Sequence, residues 1–144
     1  MAEKVNIDPL VLANHALEEN PVLFSKITVA CDISKEEVVD ILKEVIVFMS
    51  LVSQYGKKLT PSLIVDYAWH ELILCTRHYH HLCEKQFGRY IHHHPGGEEK
   101  ENHKQFVNTI KLYKETFGTP PVKYWGHLAE ELPSKSDCGA CDAF

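Results

Sequence analysis

The sequence predicts an all-α fold, a compact bundle of about five helices with a histidine-rich loop and a cysteine-containing C-terminal tail. Three observations predict it. Helix-start pairs recur at Asp8-Pro9, Asn20-Pro21 and Thr60-Pro61, with a capping box at Ser34-Lys35-Glu36-Glu37. Apolar residues then repeat at three and four positions. Glycines at 56, 88 and 118 close the apolar runs.

The elements follow in order. A short helix is predicted from Asp8-Pro9 to about Glu18. A second starts after Asn20-Pro21, uses Val22, Phe24, Ile27 and Val29, and stops near Asp32; its β-branched residues leave a strand open. From the capping box to Gly56, Val38, Ile41, Leu42, Val45, Ile46, Phe48 and Met49 cover nearly every face, as in a central helix buried on most sides. Thr60-Pro61 is predicted to open one long helix ending near Phe87. On its wheel Val65, Ala68, Trp69, Leu72, Cys75, Tyr79, Leu82 and Cys83 share one arc, while Asp66, His70, Arg77, His80 and His81 share the other. Ile91 to Gly97 must leave helix at its Pro-Gly-Gly. A last long helix is predicted over 98–117, and Val122 to Leu128 as one further turn. Residues 1–133 read as one helical domain and 134–144 as a polar tail carrying Cys138-Gly139-Ala140-Cys141. No heptad pattern points to a coiled coil.

Composition narrows the function classes. With 15 Lys+Arg against 20 Asp+Glu the formal charge is -5, which argues against nucleic acid as a partner. No stretch approaches the roughly 18 apolar residues of a membrane span, and the N-terminus carries no secretory pattern. The expectation is a cytoplasmic protein whose five cysteines are thiols or metal ligands.

The chemistry concentrates between Thr60 and Pro95, which hold seven of the ten histidines. Asp66 and His70 stand at i and i+4, so both project from one helix face, and His92-His93-His94 follow the helix. A carboxylate and imidazoles form a borderline donor set suited to zinc first and iron second. The candidate metal ligands are Asp66, His70, His92 and His93, with Cys138 and Cys141 as possible thiolate partners. The loop must fold back along the helix, because His92 and His70 are otherwise too far apart. Trp69, Tyr79, Phe87, Phe106 and Trp125 read as core, and Cys75 and Cys83 as inert buried thiols. Hydrolase signatures are missing: there is no Gly-x-Ser-x-Gly elbow, and Leu74 stands where a zincin needs its second histidine after His70-Glu71.

The run Val65-Asp66-x-x-Trp69-His70-x-x-Ile73-Leu74-x-Thr76-x-x-Tyr79-x-x-x-Cys83-x-x-x-Phe87-Gly88-x-x-Ile91-His92-His93-x-Pro95 resembles the glycine-rich domain-containing protein-like family. These are bacterial proteins and N-terminal regions of larger plant proteins. The resemblance covers about a third of the chain in detail and implies that Asp66, Trp69, His70, His92 and His93 are the family's Asp, Trp-His and His-His positions. Leu72 stands where some relatives carry a further histidine, and the plant members' glycine-rich tails are absent.

Two functions of different class follow. One is a metal-binding domain, zinc or iron, with a catalytic or redox role if a coordination position stays open. The other is a metal-free interaction module, in which the Asp/His pair is structural and the loop meets a protein or small-molecule partner. A thiol redox protein using Cys138 and Cys141 is a third.

Overall fold

A computed structural model describes residues 7–56 and 58–132, and every regular element among them is helical. The helices are α1 (Pro9–Glu19), α2 (Val22–Cys31), α3 (Val38–Tyr55), α4 (Leu63–Leu74), α5 (Thr76–Leu82), α6 (Glu99–Phe117), α7 (Val122–Trp125) and α8 (Leu128–Glu131). No helix among them is long and apolar enough to cross a membrane. The tail with Cys138 and Cys141 lies outside the described residues.

Local chemistry sets the boundaries. The Asp8 carboxylate accepts from the amides of Leu10 and Val11 at the start of α1. The second segment is helix, not strand, and ends at Asp32 in the left-handed conformation (φ 53°). The capping box forms: Ser34 donates its amide to Glu37 at 3.3 Å, across a 3₁₀ turn over Lys35–Glu37. The helix after Gly56 begins at Leu63 rather than at Thr60-Pro61, because Thr60 is drawn towards α6. Its amide donates to the Thr109 hydroxyl and its own hydroxyl to Gln105, so Ser62 caps α4 instead.

The largest departure from the predicted elements is a break at Cys75, where φ -81° and ψ 67° leave the helical region. No proline or glycine causes it. The Cys75 amide bonds back to Leu72, and its carbonyl accepts from Tyr79 to begin α5. The break serves a contact that a straight helix forbids. Trp69 and Tyr79, ten residues apart, would stand about 15 Å apart along a continuous axis; here the Trp69 indole N–H reaches the Tyr79 hydroxyl at 3.0 Å. A π-helical turn over Cys83–Phe87 then ends at Gly88, whose φ of 73° suits glycine.

α3 is the axis of the core, with Ile41, Leu42, Val45, Ile46, Phe48 and Met49 fully buried, and α1, α2, α4 and α6 pack around it. One carboxylate is buried within this apolar column. Glu44 accepts from the Tyr113 hydroxyl at 2.5 Å and the Trp125 indole N–H at 2.8 Å, tying α3 to α6 and α7. Burial, reinforced by the Glu44 charge, pushes the Tyr113 hydroxyl far above the ordinary tyrosine range, so it stays a donor.

A half-buried histidine marks the α1–α5 side. His78 lies 5.7 Å from the His15 ring, and its Nε2 is buried without a hydrogen-bond partner among the described residues. Burial lowers its basicity, the neighbouring His15 and His81 add to that, and Glu19 opposes it.

Two expectations follow. Glu44→Leu strands two buried donors and lowers unfolding free energy by roughly 2–4 kcal/mol in urea titrations, whereas Glu44→Gln, which keeps an acceptor oxygen, costs less. His78 takes up its proton at lower pH folded than unfolded, so the unfolded chain binds more protons once pH falls below about 6.5. Stability therefore declines as pH drops from 7 towards 5, and His78→Gln flattens that decline in denaturation midpoints measured across the range.

Candidate functional site

The loop after Gly88 turns back on α4, and each of its fixings is visible. Arg89 donates to the Val52 carbonyl of α3 at 3.1 Å. Ile91 buries its side chain, and its carbonyl accepts from the Tyr79 hydroxyl at 2.5 Å. Further along, the Gly97 amide donates to the Asn102 side chain, which donates back to the Gly97 carbonyl. Between these anchors His93 comes down on α4, where its Nε2 lies 2.8 Å from Asp66 Oδ1.

The polar chain Trp69 N–H to Tyr79 O–H to Ile91 C=O supports that meeting from beneath. Burial holds the Tyr79 hydroxyl protonated far above the ordinary tyrosine range, so it can donate to the loop while accepting from Trp69. The Trp69 ring also lies 4.7 Å from the His93 ring and fixes its tilt. Because a carboxylate only accepts, Nε2 of His93 carries the hydrogen of the Asp66 bond.

Asp66 and His93 line an open cleft of about 320 Å³ with Ala30, Tyr67, His70 and Glu71. The His70 side chain is 60% exposed, its Nδ1 lies 3.6 Å from Glu71, and its ring centre lies 6.1 Å from that of His93. Two carboxylates thus share the cleft with two imidazoles. Neither Lys nor Arg stands among the lining residues.

The predicted site residues separate accordingly. Asp66, His70 and His93 come together. His92, two positions from Tyr90, turns away and packs on that ring at 4.7 Å. Cys138 and Cys141 lie outside the described residues. Asp66 spends its hydrogen bond on His93, not on His70 of its own helix. Among the described residues, no three His, Cys, Asp or Glu side chains are placed together as ligands of one metal ion. Burial pushes the Cys31 thiol up to about 11 and raises that of Cys83, in keeping with inert packed thiols, whereas Cys75, expected to be buried, is only half-buried at the helix break.

Sequence reasoning missed Glu71 and the second role of Tyr79. Glu71 was visible only as part of an incomplete zincin pattern. Tyr79 reads as core from its place on the apolar arc, and its hydroxyl's task emerges only from the break at Cys75.

Compared with known proteins, the chain matches the family model described as UCP032817-like over residues 14–115. That match spans every residue of the cleft; it does not confirm the glycine-rich name or its motif. No curated protein and no solved structure matches the chain.

The buried relay and the partly exposed Asp66–His93 pair should differ in worth. Tyr79→Phe leaves the Trp69 N–H and the Ile91 carbonyl unpaired and costs roughly 1–3 kcal/mol. Asp66→Ala removes a pair open to solvent, worth about 0.2–1 kcal/mol. Urea denaturation of the two variants checks the order, and amide exchange of residues 91–94 should rise most in Tyr79→Phe.

Proposed function

We propose that this chain, which belongs to the UCP032817-like family, binds a divalent metal ion in the cleft of Asp66 and His93, zinc before iron. The observation that carries the reading is the meeting of Asp66 and His93, 27 positions apart in the chain, beside His70 on the next turn of α4. A carboxylate and two imidazoles suit a borderline ion.

The donor set fits with small side-chain movements. Two imidazoles on one tetrahedral zinc have ring centres about 5 Å apart, against 6.1 Å for His70 and His93. His70, 60% exposed, would have to move towards His93 to close that gap. The Asp66 and His93 donor atoms, 2.8 Å apart, must open to roughly 3.3 Å to share an ion. His93 would have to present Nε2 without its hydrogen, as the tautomer protonated at Nδ1 does. Glu71, 3.6 Å from His70, is a further oxygen donor in the cleft, and Cys138 and Cys141, outside the described residues, are the thiolate candidates. An ion held with an open position would supply Lewis acidity in a cleft accessible to small molecules.

A second reading rests on the same 2.8 Å contact. As a complete hydrogen bond, the pair can be a metal-free clasp that pins the loop, leaving the surface around it for a partner. Chelation separates the two: a metal centre loses stability with its ion, and a clasp is indifferent.

Elemental analysis by plasma mass spectrometry, on untagged protein never exposed to metal resin, is expected to find about one zinc per chain. Asp66→Ala/His93→Ala should lose it, His70→Ala should weaken binding by roughly 10- to 100-fold, and His92→Ala should leave it unchanged. Metal far below stoichiometric in the parent protein favours the clasp.

A further inference from the structure

The seam between α1 and α5 gathers titratable groups that the cleft does not use. His15 Nε2 lies 3.1 Å from Glu19 Oε1 on α1, and both side chains are 56% exposed. His78 of α5 is different: among the described residues its Nε2 is buried without a hydrogen-bond partner, and the His15 ring lies 5.7 Å away. The charged groups that act on it are His15 and Glu19 of α1 and His81 of its own helix. An accessible imidazole that is already engaged thus stands beside an enclosed one with an unpaired nitrogen.

A protonated imidazole carries a hydrogen on both nitrogens. At His78 one of them would be a charged donor with neither water nor an acceptor, which a protein interior resists. Proton uptake therefore requires the ring to reach water, and the seam must part for it. His15 and His81 add repulsion when charged, and Glu19, which opposes it, is engaged with His15.

The fold lets α5 move as a unit. It spans seven residues between the non-helical Cys75 and the π-helical turn over Cys83–Phe87. Breaks of that kind let a segment turn without disturbing the helices beyond it. Tyr79, the residue after His78, stands about 100° further round the helix; it is fully buried and its hydroxyl holds the Ile91 carbonyl. Displacing α5 to free His78 thus pulls on the group that fixes the loop. We propose that His78 is a proton-sensitive latch: its protonation in mildly acidic solution parts the α1–α5 seam and, through Tyr79, releases the loop that carries His93. The latch acts whether Asp66 and His93 hold a metal or only each other, so it stands apart from the metal reading.

Amide exchange between about pH 7.5 and 5, in chelator and corrected for the intrinsic pH dependence of exchange, tests the latch. Protection of residues 91–94 is expected to fall by up to about tenfold per pH unit below about 6.5, the slope of one coupled proton, while α3 stays protected. His78→Gln should keep the loop protected throughout. His15→Gln, which removes a repelling neighbour at an exposed position, should move the loss to higher pH; if His78→Gln does not fold, that shift decides alone, and its absence overturns the latch. Loop protection that is unchanged across the range, or a loss that persists in folded His78→Gln, overturns His78 as the sensor. A loss confined to α1 overturns the route through Tyr79, and a loss shared equally by α3 is global unfolding and overturns the latch. The zinc content of the parent protein, measured separately, decides the metal reading in every case.

Discussion

The hydroxyl of Tyr79 is the point on which the arrangement of the site depends. It is fully buried, accepts from Trp69 and donates to the Ile91 carbonyl, so one oxygen links α4, α5 and the loop. Buried polar groups are costly when unpaired and specific when paired, which makes such a relay a geometric constraint as well as a source of stability. The break at Cys75 is the backbone's accommodation to it. The π-helical turn and the left-handed Gly88 then return the chain at the height where Ile91 enters the core and His93, two residues on, falls on the outer side above Asp66. The buried relay sets the height at which the partly exposed pair meets.

Glu44 plays the corresponding part at the other end of the core. Its carboxylate collects Tyr113 and Trp125, and the Trp125 ring packs against both Phe48 and Tyr113. Phe48 also meets Trp69 edge-on at 5.3 Å, so one aromatic chain runs from the Glu44 hub to the ring beneath His93. A volume change at Phe48 would therefore be felt at the cleft, since close-packed interiors pass on displacement rather than absorb it.

What was legible in the sequence was what local chemistry decides. Asp8, the Ser34/Glu37 box, Gly56 and Gly88 act within a turn of themselves, and each stands where its residue type implies. The apolar covering of α3 follows from the composition of residues 38–52 and is borne out by their burial. Asp66 and His70 share a helix face because spacing alone puts them there. What was hidden depended on contacts between distant positions. The break at Cys75 has no breaker residue, and the start of α4 shifts because Thr60 finds partners on α6. The choice of His93 over His92 depends on tertiary contacts: Ile91 enters the core, His92 packs on Tyr90 and His93 meets Asp66 of α4.

The cleft joins two features that are weak separately. A single Asp–His hydrogen bond at a surface contributes little and is common, and an exposed leucine or valine is ordinary. Here the two carboxylates of the cleft stand beside the exposed Tyr67, and the lining residues include two histidines but neither Lys nor Arg. Covering the apolar face would strip water from Asp66 and Glu71, and unneutralised carboxylates resist that strongly.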